Sequence, residues 1–326
     1  MTAIELCAGV GGQALGFERA GFEMVAVVDI DGDTCSTLAR NRPDWYTVQD
    51  DLNLIEPAKH QPMDRADVLS CGLPRSPYSI AGKQLATDDR RDTLRATLDV
   101  AAYVRPRVLV IENIPTFLTA PKFESARTEV REAVEGLGYE MVSSTLTATD
   151  FGVPQERRHG FMVAMHPDDL AHFRWPAPTV EKCPSLGEAL FESMSSGGWP
   201  EAADWAAQAD GPAPLIMGGA TGRGGADLGA TRSKAQWARF GIYGGSIGDS
   251  VPGPDFRRNP DIEPRHGLPR ITVDQVALLQ GFPADWDIVG GKTSAYRQIS
   301  QTTPPPLAEA LSRQVMFALQ RSSGTV

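Results

Sequence analysis

Short apolar runs, separated by amphipathic stretches, dominate the first half of the chain. The clearest of these runs are residues 4–7, 24–28, 67–70, 108–111 and 161–165, with weaker ones at 46–48 and 141–147. Runs of this length, bounded by glycine, proline or acidic residues, are typical of strands buried in a parallel sheet. Residues 12–21 and 125–136 have the pattern of helices instead. The alternation predicts an α/β fold, a Rossmann-like sheet with helices on both faces.

The predicted strand ends carry glycines and acids. Gly9, Gly11 and Gly12 follow the first strand, Asp29 closes the second, and Asp51 follows the third. Glycines between a first strand and a first helix let the backbone approach a cofactor, and an acid after the second strand usually binds a ribose. Together these positions predict a site for a nucleoside-containing cofactor.

The second half of the chain has a weaker pattern. Residues 195–229 show little apolar periodicity, and a long stretch of this kind is usually functional or disordered. Thr272 is predicted to cap a helix, and residues 307–320 a last helix that returns beside the first strand. Three tryptophans could form a small core or stack on bases, and a core is the favoured interpretation: Trp199, Trp205 and Trp237.

Composition sets the broad class. The chain has 326 residues, of which 41% are hydrophobic and 22% charged, as in ordinary globular proteins. No apolar run approaches the roughly 20 residues of a membrane span. The first strand begins close to Met1, so we expect no signal peptide and a cytoplasmic protein. The four cysteines have no metal-ligand spacing, and we expect reduced thiols and no metal site.

The charge is unevenly distributed. The formal net charge is −10, which taken globally argues against a nucleic-acid partner. Residues 217–270, however, contain eight basic residues against five acidic ones: Arg223, Arg232, Lys234, Arg239, Arg257, Arg258, Arg265 and Arg270. Any basic surface for DNA is therefore predicted in this segment.

Several motifs, in the right order, resemble those of the DNA cytosine-C5 methyltransferases. Residues 71–84 resemble the catalytic loop, but Arg75 stands where the family has its nucleophilic cysteine. Residues 270–283 resemble the ninth motif almost residue for residue. The resemblance covers nearly the whole chain outside residues 167–266.

The resemblance implies an S-adenosyl-L-methionine site. Residues 7–12 resemble the Phe-x-Gly-x-Gly-Gly motif that holds this cofactor, with Cys7 in place of phenylalanine. By this resemblance the cofactor-binding residues are Cys7, Gly9, Val10, Gly11, Gly12, Asp29, Ile30, Asp51, Leu52, Pro74, Leu94 and Gln301. Residues 300–301, Ser-Gln, replace the family's Gly-Asn beside the cofactor.

The resemblance also implies residues for a flipped cytosine. Glu112 and Asn113 match the Glu-Asn-Val motif, whose glutamate binds N3 and the amino group of the base. Residues 155–159 resemble Gln-x-Arg-x-Arg. Arg157 matches the first arginine, which would contact the cytosine O2, and His159 replaces the second. Residues 88–95 match a mobile lid over DNA.

The same resemblance implies three regions. Residues 1–166 would form the cofactor-binding and catalytic domain, residues 167–268 a small irregular target-recognition domain that binds DNA, and residues 269–326 a segment returning to the catalytic domain. We expect double-stranded DNA as the partner, together with a restriction or partner subunit.

Arg75 conflicts with the family's chemistry. Arginine stays protonated and cannot attack C6 of cytosine as a thiolate does. Cys71 lies up to roughly 13 Å away in an extended chain, and Ser76 has no evident base. Three hypotheses stay open: an enzyme with altered chemistry, a catalytically inactive DNA-binding protein, and a methyltransferase whose cysteine was replaced deliberately.

Arg75 also bears on the donor. A second cation near the sulfonium is unfavourable in a partly dried site, and a carboxylate on the transferred group would offset the repulsion. A carboxylated analogue of S-adenosylmethionine is therefore a further hypothesis.

Overall fold

The computed structural model describes residues 1–75, 92–217, 225–259, 261 and 267–324. The end of the loop at 71–84, including Ser76, lies outside the described residues, as do residues 88–91 of the predicted lid, Arg223 and Arg265. The strands are β1 (Thr2–Leu6), β2 (Glu23–Asp29), β3 (Thr47–Gln49), β4 (Val68–Gly72), β5 (Val108–Asn113), β6 (Glu140–Thr147) and β7 (Arg158–Met165). The α-helices are α1 (Gly12–Arg19), α2 (Gly32–Asn41), α3 (Leu94–Val104), α4 (Pro115–Thr119), α5 (Glu124–Gly136), α6 (Pro167–Leu170), α7 (Leu186–Ser195), α8 (Ala202–Gln208), α9 (Thr231–Arg239), α10 (Val273–Leu279), α11 (Lys292–Gln301) and α12 (Pro305–Ser322).

The chain forms two compact units. The first contains Met1–Thr147, Arg158–Ala177 and Leu307–Val326, and the second contains Ala148–Arg157 and Pro178–Pro306. The second unit thus holds residues 269–306, while the last helix belongs to the first unit from Leu307 onward. The functional division at residues 166 and 268 stays a prediction, because compactness does not report which segment binds DNA.

A seven-stranded sheet in the order β3-β2-β1-β4-β5-β7-β6 forms the centre of the first unit. Strands β1 to β5 are parallel, whereas β7 runs antiparallel to both β5 and β6. The α/β Rossmann-like fold predicted from the alternating pattern is confirmed. Strand order reverses between β1 and β4, and open α/β sheets bind ligands at the carboxyl ends of the strands at such a point.

The apolar runs correspond to the most buried strands. Every residue of β5 is buried, and so are Ile4 and Leu6 of β1, since both faces of a parallel sheet are covered by helices. One strand begins earlier than its apolar run predicts. Pairing with β6 joins Leu146 to His159 and Thr147 to Arg158, so β7 includes His159.

The last helix packs against α1, the helix that follows the first strand. A side chain at Gly16 of α1 would collide with Ala308 of α12, so only glycine permits this approach. The end of α12 is held by Arg107, whose Nη2 donates to the Leu319 carbonyl at 3.2 Å and pairs with Asp169 at 2.6 Å. These contacts return the C-terminal helix to the sheet.

The second unit is helical with an aromatic core. Trp199, Trp205 and Trp237 are buried, which confirms their interpretation as core residues. Thr272 caps α10 as predicted: its hydroxyl accepts from the Gln275 amide and the Gln275 side chain accepts from the Thr272 amide. Helix α8 forms within residues 195–229, where the apolar pattern predicted little.

Candidate active site

The turn after β1 adopts a backbone conformation that favours glycine. Gly9 and Gly11 have φ values of 54° and 87°, in the left-handed region. The Gly9 amide donates to Asp29 Oδ2 at 2.8 Å, and the Ala8 amide donates to the Val28 carbonyl at 2.9 Å. The glycine turn is thereby attached to the end of β2.

The Asp29 side chain is half-buried at the end of β2. Its Oδ1 accepts from the Asp31 amide at 2.9 Å. Burial raises the pKa of the Asp29 carboxyl above its ordinary value, while the amides of Asp31 and Gly9 act in the opposite direction. The next residue, Ile30, is 63% exposed and presents an apolar side chain beside this carboxyl.

The residues after β3 lie beside Asp29. Asp51 is half-buried, and its Oδ1 accepts from the Asn53 amide at 3.0 Å. Leu52 and Val10 are buried. The Asp50 amide donates to the Asp29 carbonyl at 3.1 Å, so the chain after β3 is joined to the end of β2.

Two cysteines and two threonines connect the ends of β1 and β4 with α3. Cys7 has a φ of 52°, unusual for a residue other than glycine, and its Sγ lies 3.6 Å from Thr93 Oγ1. Thr97 donates to Cys71 Sγ at 3.3 Å. Leu94, at the start of α3, is buried next to Thr93.

Three side chains meet where β4 and β5 end and the antiparallel β7 begins: Arg75, Glu112 and His159. Glu112 is 3% exposed, and its Oε1 lies 2.9 Å from Arg75 Nη2 and 2.7 Å from His159 Nδ1. Nη2 also lies 3.0 Å from Nδ1. Because two acceptors repel, the 2.7 Å separation fits a proton on Nδ1 that is donated to Glu112. The resulting cluster joins a carboxylate to one permanent cation and one histidine.

The neighbours of Glu112 are also ordered. Asn113 is buried, and its Oδ1 accepts from the Ile114 amide at 2.7 Å. The Leu73 amide donates to the Glu112 carbonyl at 3.1 Å, which ties the start of the Arg75 loop, including Pro74, to β5.

Arg157 and Gln301 belong to the second unit. Arg157 is buried, and its Nη1 donates to the Ser300 carbonyl at 2.6 Å. Gln155 donates to Gln280 Oε1 at 2.8 Å and accepts from the Ile216 amide at 3.1 Å. Gln301 is exposed at the end of α11. This unit therefore places Ser300, one of the two departures at residues 300–301, against Arg157.

Sequence reasoning did not select Glu5. This carboxyl lies within buried β1, and burial raises its pKa well above the ordinary value, with smaller contributions from Asp29, Cys7 and Glu112 and opposition from the Ala14 amide. The sequence signal that could have identified Glu5 is its position inside an otherwise apolar strand. His159 was noted as a departure from its motif but not assigned to the site, because the contact with Glu112 depends on strand pairing.

The fold and these clusters define a class of protein: an α/β protein with a glycine turn after β1 and acids after β2 and β3, at the edge where such folds bind nucleoside cofactors. The chain belongs to the C-5 cytosine-specific DNA methylase family, whose sequence profile matches residues 1–316. The family uses S-adenosyl-L-methionine as methyl donor.

Individual relatives agree with this assignment. The chain is 38% identical to Type II methyltransferase M.NaeI from Lentzea aerocolonigenes over 98% of this chain and 75% of the relative. It is 37% identical to Type II methyltransferase M.NgoMIV from Neisseria gonorrhoeae over 99% of each chain. The structure of a DNMT2 variant from Spodoptera frugiperda has the same fold, with a TM-score of 0.64, 15% identity, and coverage of 97% of this chain and 99% of that one. Among the described residues, no helix is long and apolar enough to span a membrane.

Proposed function

We propose that this chain binds S-adenosyl-L-methionine and acts on a cytosine in double-stranded DNA by a reaction that does not use a cysteine at position 75. The observation that carries the proposal is the ion pair between Arg75 and the buried Glu112, at 2.9 Å. By resemblance, the first residue stands at the nucleophile position and the second binds the base. A permanently protonated guanidinium in that place cannot add to C6.

The first unit fits the cofactor. When bound, S-adenosylmethionine supplies an electrophilic methyl group. Asp29 is held by two backbone amides, as a carboxylate that accepts from a ribose needs to be. Ile30 offers an exposed apolar surface for an adenine ring. On the resemblance alone, the proposed cofactor-binding residues also include Cys7, Gly9, Val10, Gly11, Gly12, Asp51, Leu52, Pro74, Leu94 and Gln301.

Glu112, Asn113 and Arg157 are the proposed residues for the base. A buried carboxylate with ordered partners is suited to bind the amino group and N3 of cytosine. Arg157 offers guanidinium donors for a carbonyl oxygen such as O2, and its Nη1 is already oriented by the Ser300 carbonyl. This division of roles rests on the resemblance of the two motifs.

Cys71, the nearest cysteine along the chain, is not suited to replace the nucleophile. Cys71 is fully buried, and burial raises the pKa of its thiol well above the ordinary value, so the thiolate is disfavoured. Thr97 further occupies its sulfur with a hydrogen bond. This environment supports a reaction without a covalent adduct at C6.

A second candidate function is DNA binding without base modification. The same ion pair favours it, because Glu112 Oε1 already accepts from Arg75 and His159. A base entering the site would have to share or displace these contacts. In this alternative the chain would act as a regulator or partner subunit.

The donor hypothesis is weakened by the same contact. The Arg75 guanidinium already has a carboxylate partner in Glu112, so a carboxylated donor is not needed to balance its charge. Equal or tighter binding of plain S-adenosylmethionine, measured by calorimetry, would exclude the carboxylated analogue.

Mass spectrometry of nucleosides tests the proposal. Duplex DNA is incubated with the protein and S-adenosylmethionine, digested, and compared with DNA incubated with an Asp29→Ala variant. We expect a modified deoxycytidine that depends on the unaltered protein. Unmodified DNA that is nevertheless bound would favour the inactive alternative, and failure to bind both DNA and cofactor would contradict both functions.

A further inference from the structure

We infer that Arg75 is a positioning residue: its guanidinium is the fixed positive charge that holds the buried Glu112 carboxylate in its orientation. This inference rests on contacts within the first unit and does not depend on whether the chain transfers a group. Arg75 cannot act as a nucleophile, but by this inference it has a role that it exerts through Glu112.

Glu112 needs a counter-charge because of its surroundings. It is 3% exposed, and burial of an ionised carboxylate is costly unless the group is paired. Two other carboxyl groups lie along the same edge of the sheet: that of Glu5 is buried and that of Asp29 is half-buried. Glu5 interacts electrostatically with both Asp29 and Glu112, so an ionised Glu5 and an ionised Glu112 each raise the energy of the other. An edge with three carboxyl groups requires a cation.

Arg75 meets this requirement from a favourable place. It follows β4, while His159 lies on β7, and these two strands flank β5 on either side. Both side chains reach the same oxygen, Glu112 Oε1, at 2.9 and 2.7 Å. The carboxylate is therefore held from both neighbouring strands.

The two partners differ in their charge. Arginine remains protonated at every workable pH, whereas histidine gains and loses its proton near neutrality. His159 alone could donate one hydrogen bond to Glu112 but could not guarantee a positive charge. Arg75 supplies that charge through one nitrogen, Nη2, which contacts both other side chains. A lysine ammonium could replace a contact made by one nitrogen, whereas an uncharged methionine could not.

The test is a double-mutant cycle on the full chain. Four proteins are compared: unaltered, Arg75→Met, Glu112→Gln, and the variant with both changes. The readout is hydrogen exchange of the peptides covering Val108–Asn113 and Arg158–Met165, which reports local opening of β5 and β7. A local readout is needed because a chain with two units need not unfold in one step.

We expect Arg75→Met to speed exchange in these peptides by roughly tenfold to a hundredfold, because a buried charge loses its partner. Breaking a fully buried pair has a larger effect than this, but the Arg75 side chain is 20% exposed, so we expect the lower end of the range. In the Glu112→Gln background the same change should alter exchange by less than about threefold, because no carboxylate remains to be paired. Arg75→Lys should retain most of the protection.

The matched control is Arg95→Met, which removes an exposed ion pair with Glu129 in the same unit. We expect almost no change in the two peptides. Equal effects of Arg75→Met with and without Glu112→Gln would overturn the inference, as would a lysine variant as labile as the methionine variant. Neither outcome would bear on cofactor or DNA binding, so failure here is distinguishable from failure of the proposed function.

Discussion

The two halves of the sheet's carboxyl edge are built by different means. At the ends of β1 and β2, backbone amides and left-handed glycines hold Asp29. At the ends of β4, β5 and β7, side-chain charges contact one another directly, with Arg75 and His159 on Glu112. We call the first group the cofactor side and the second the base side, after the ligands proposed for them.

The difference shows where substitution changes function. A site made by the backbone tolerates a new side chain, so Cys7 in place of phenylalanine leaves the turn and the Asp29 contacts in place. A site made by side-chain charges is altered by a single substitution, because each charge is balanced against its neighbours. We therefore expect cofactor binding to persist in this chain while the chemistry on the base differs from that of the family.

The largest expected effect comes from restoring a thiol on the base side. The unaltered chain should form no covalent adduct with duplex DNA containing 5-fluorocytosine, since trapping requires a thiolate on C6. Arg75→Cys should give a measurable adduct by denaturing gel electrophoresis, from none to a clear band, when the target sequence is supplied. The rescue should be partial, because Arg75→Cys removes the cation beside Glu112.

The matched control for this experiment is Arg75→Ser, because serine is about as large as the cysteine of Arg75→Cys but has no thiol. A covalent adduct with the unaltered chain would show that another residue, such as Cys71 or Ser76, attacks the base. That result would contradict the expectation that the chemistry on the base side differs from that of the family.

Removing the central acid of the cofactor side should have the next largest effect. Asp29→Ala should weaken binding of S-adenosylmethionine by about tenfold to a hundredfold, the usual loss for a hydrogen bond to a charged group. Calorimetry with the cofactor and with its demethylated product provides the measurement. Asp44→Ala, an exposed acid of the same unit, should bind normally. Unchanged affinity in Asp29→Ala would place the cofactor elsewhere.

The basic segment of the second unit should contribute the salt dependence of DNA binding. Arg232 and Arg239 are exposed on α9, and removing both should lower the slope of log affinity against log salt by about 1 to 2. Fluorescence anisotropy at several salt concentrations measures this slope. Arg313→Ala on α12, where Arg313 pairs with Glu309 in the first unit, is the control. An unchanged slope in the double variant would remove these arginines from the interface.

The smallest expected effect concerns Glu5, which lies between the two sides. Burial raises its pKa in the folded chain, so its ionisation destabilises the fold as the pH rises above the ordinary carboxyl pKa. Glu5→Gln should therefore raise thermal stability at pH 8 more than at pH 5. Thermal unfolding monitored by circular dichroism at both pH values would check this. A gain that is equal at both pH values would mean that the pKa of Glu5 is the same in the folded and the unfolded chain, which would contradict the shift.

Much of the first unit could be read from the sequence because burial on both faces of a parallel strand leaves a continuous apolar run. The strands β1, β2, β4 and β5 follow such runs, whereas the helices α5 and α12 follow the spacing of apolar residues along one helix face. The glycine turn lies where the left-handed backbone requires it. The basic segment and the Thr272 cap could also be predicted, because charge and capping are local properties of a few neighbouring residues.

Contacts between distant positions were decided by the tertiary structure. Residues 75, 112 and 159 are far apart in the chain, and only the order β4-β5-β7 brings their side chains onto one oxygen. The antiparallel pairing of β6 and β7 places His159 inside a strand, although the apolar run predicted a strand only from residue 161. The sequence by itself determined that an arginine stands at position 75, where the resemblance places the family's cysteine. The fold decided that this arginine lies against the buried glutamate, because a carboxylate enclosed between two strands must find its counter-charge on the strands beside it.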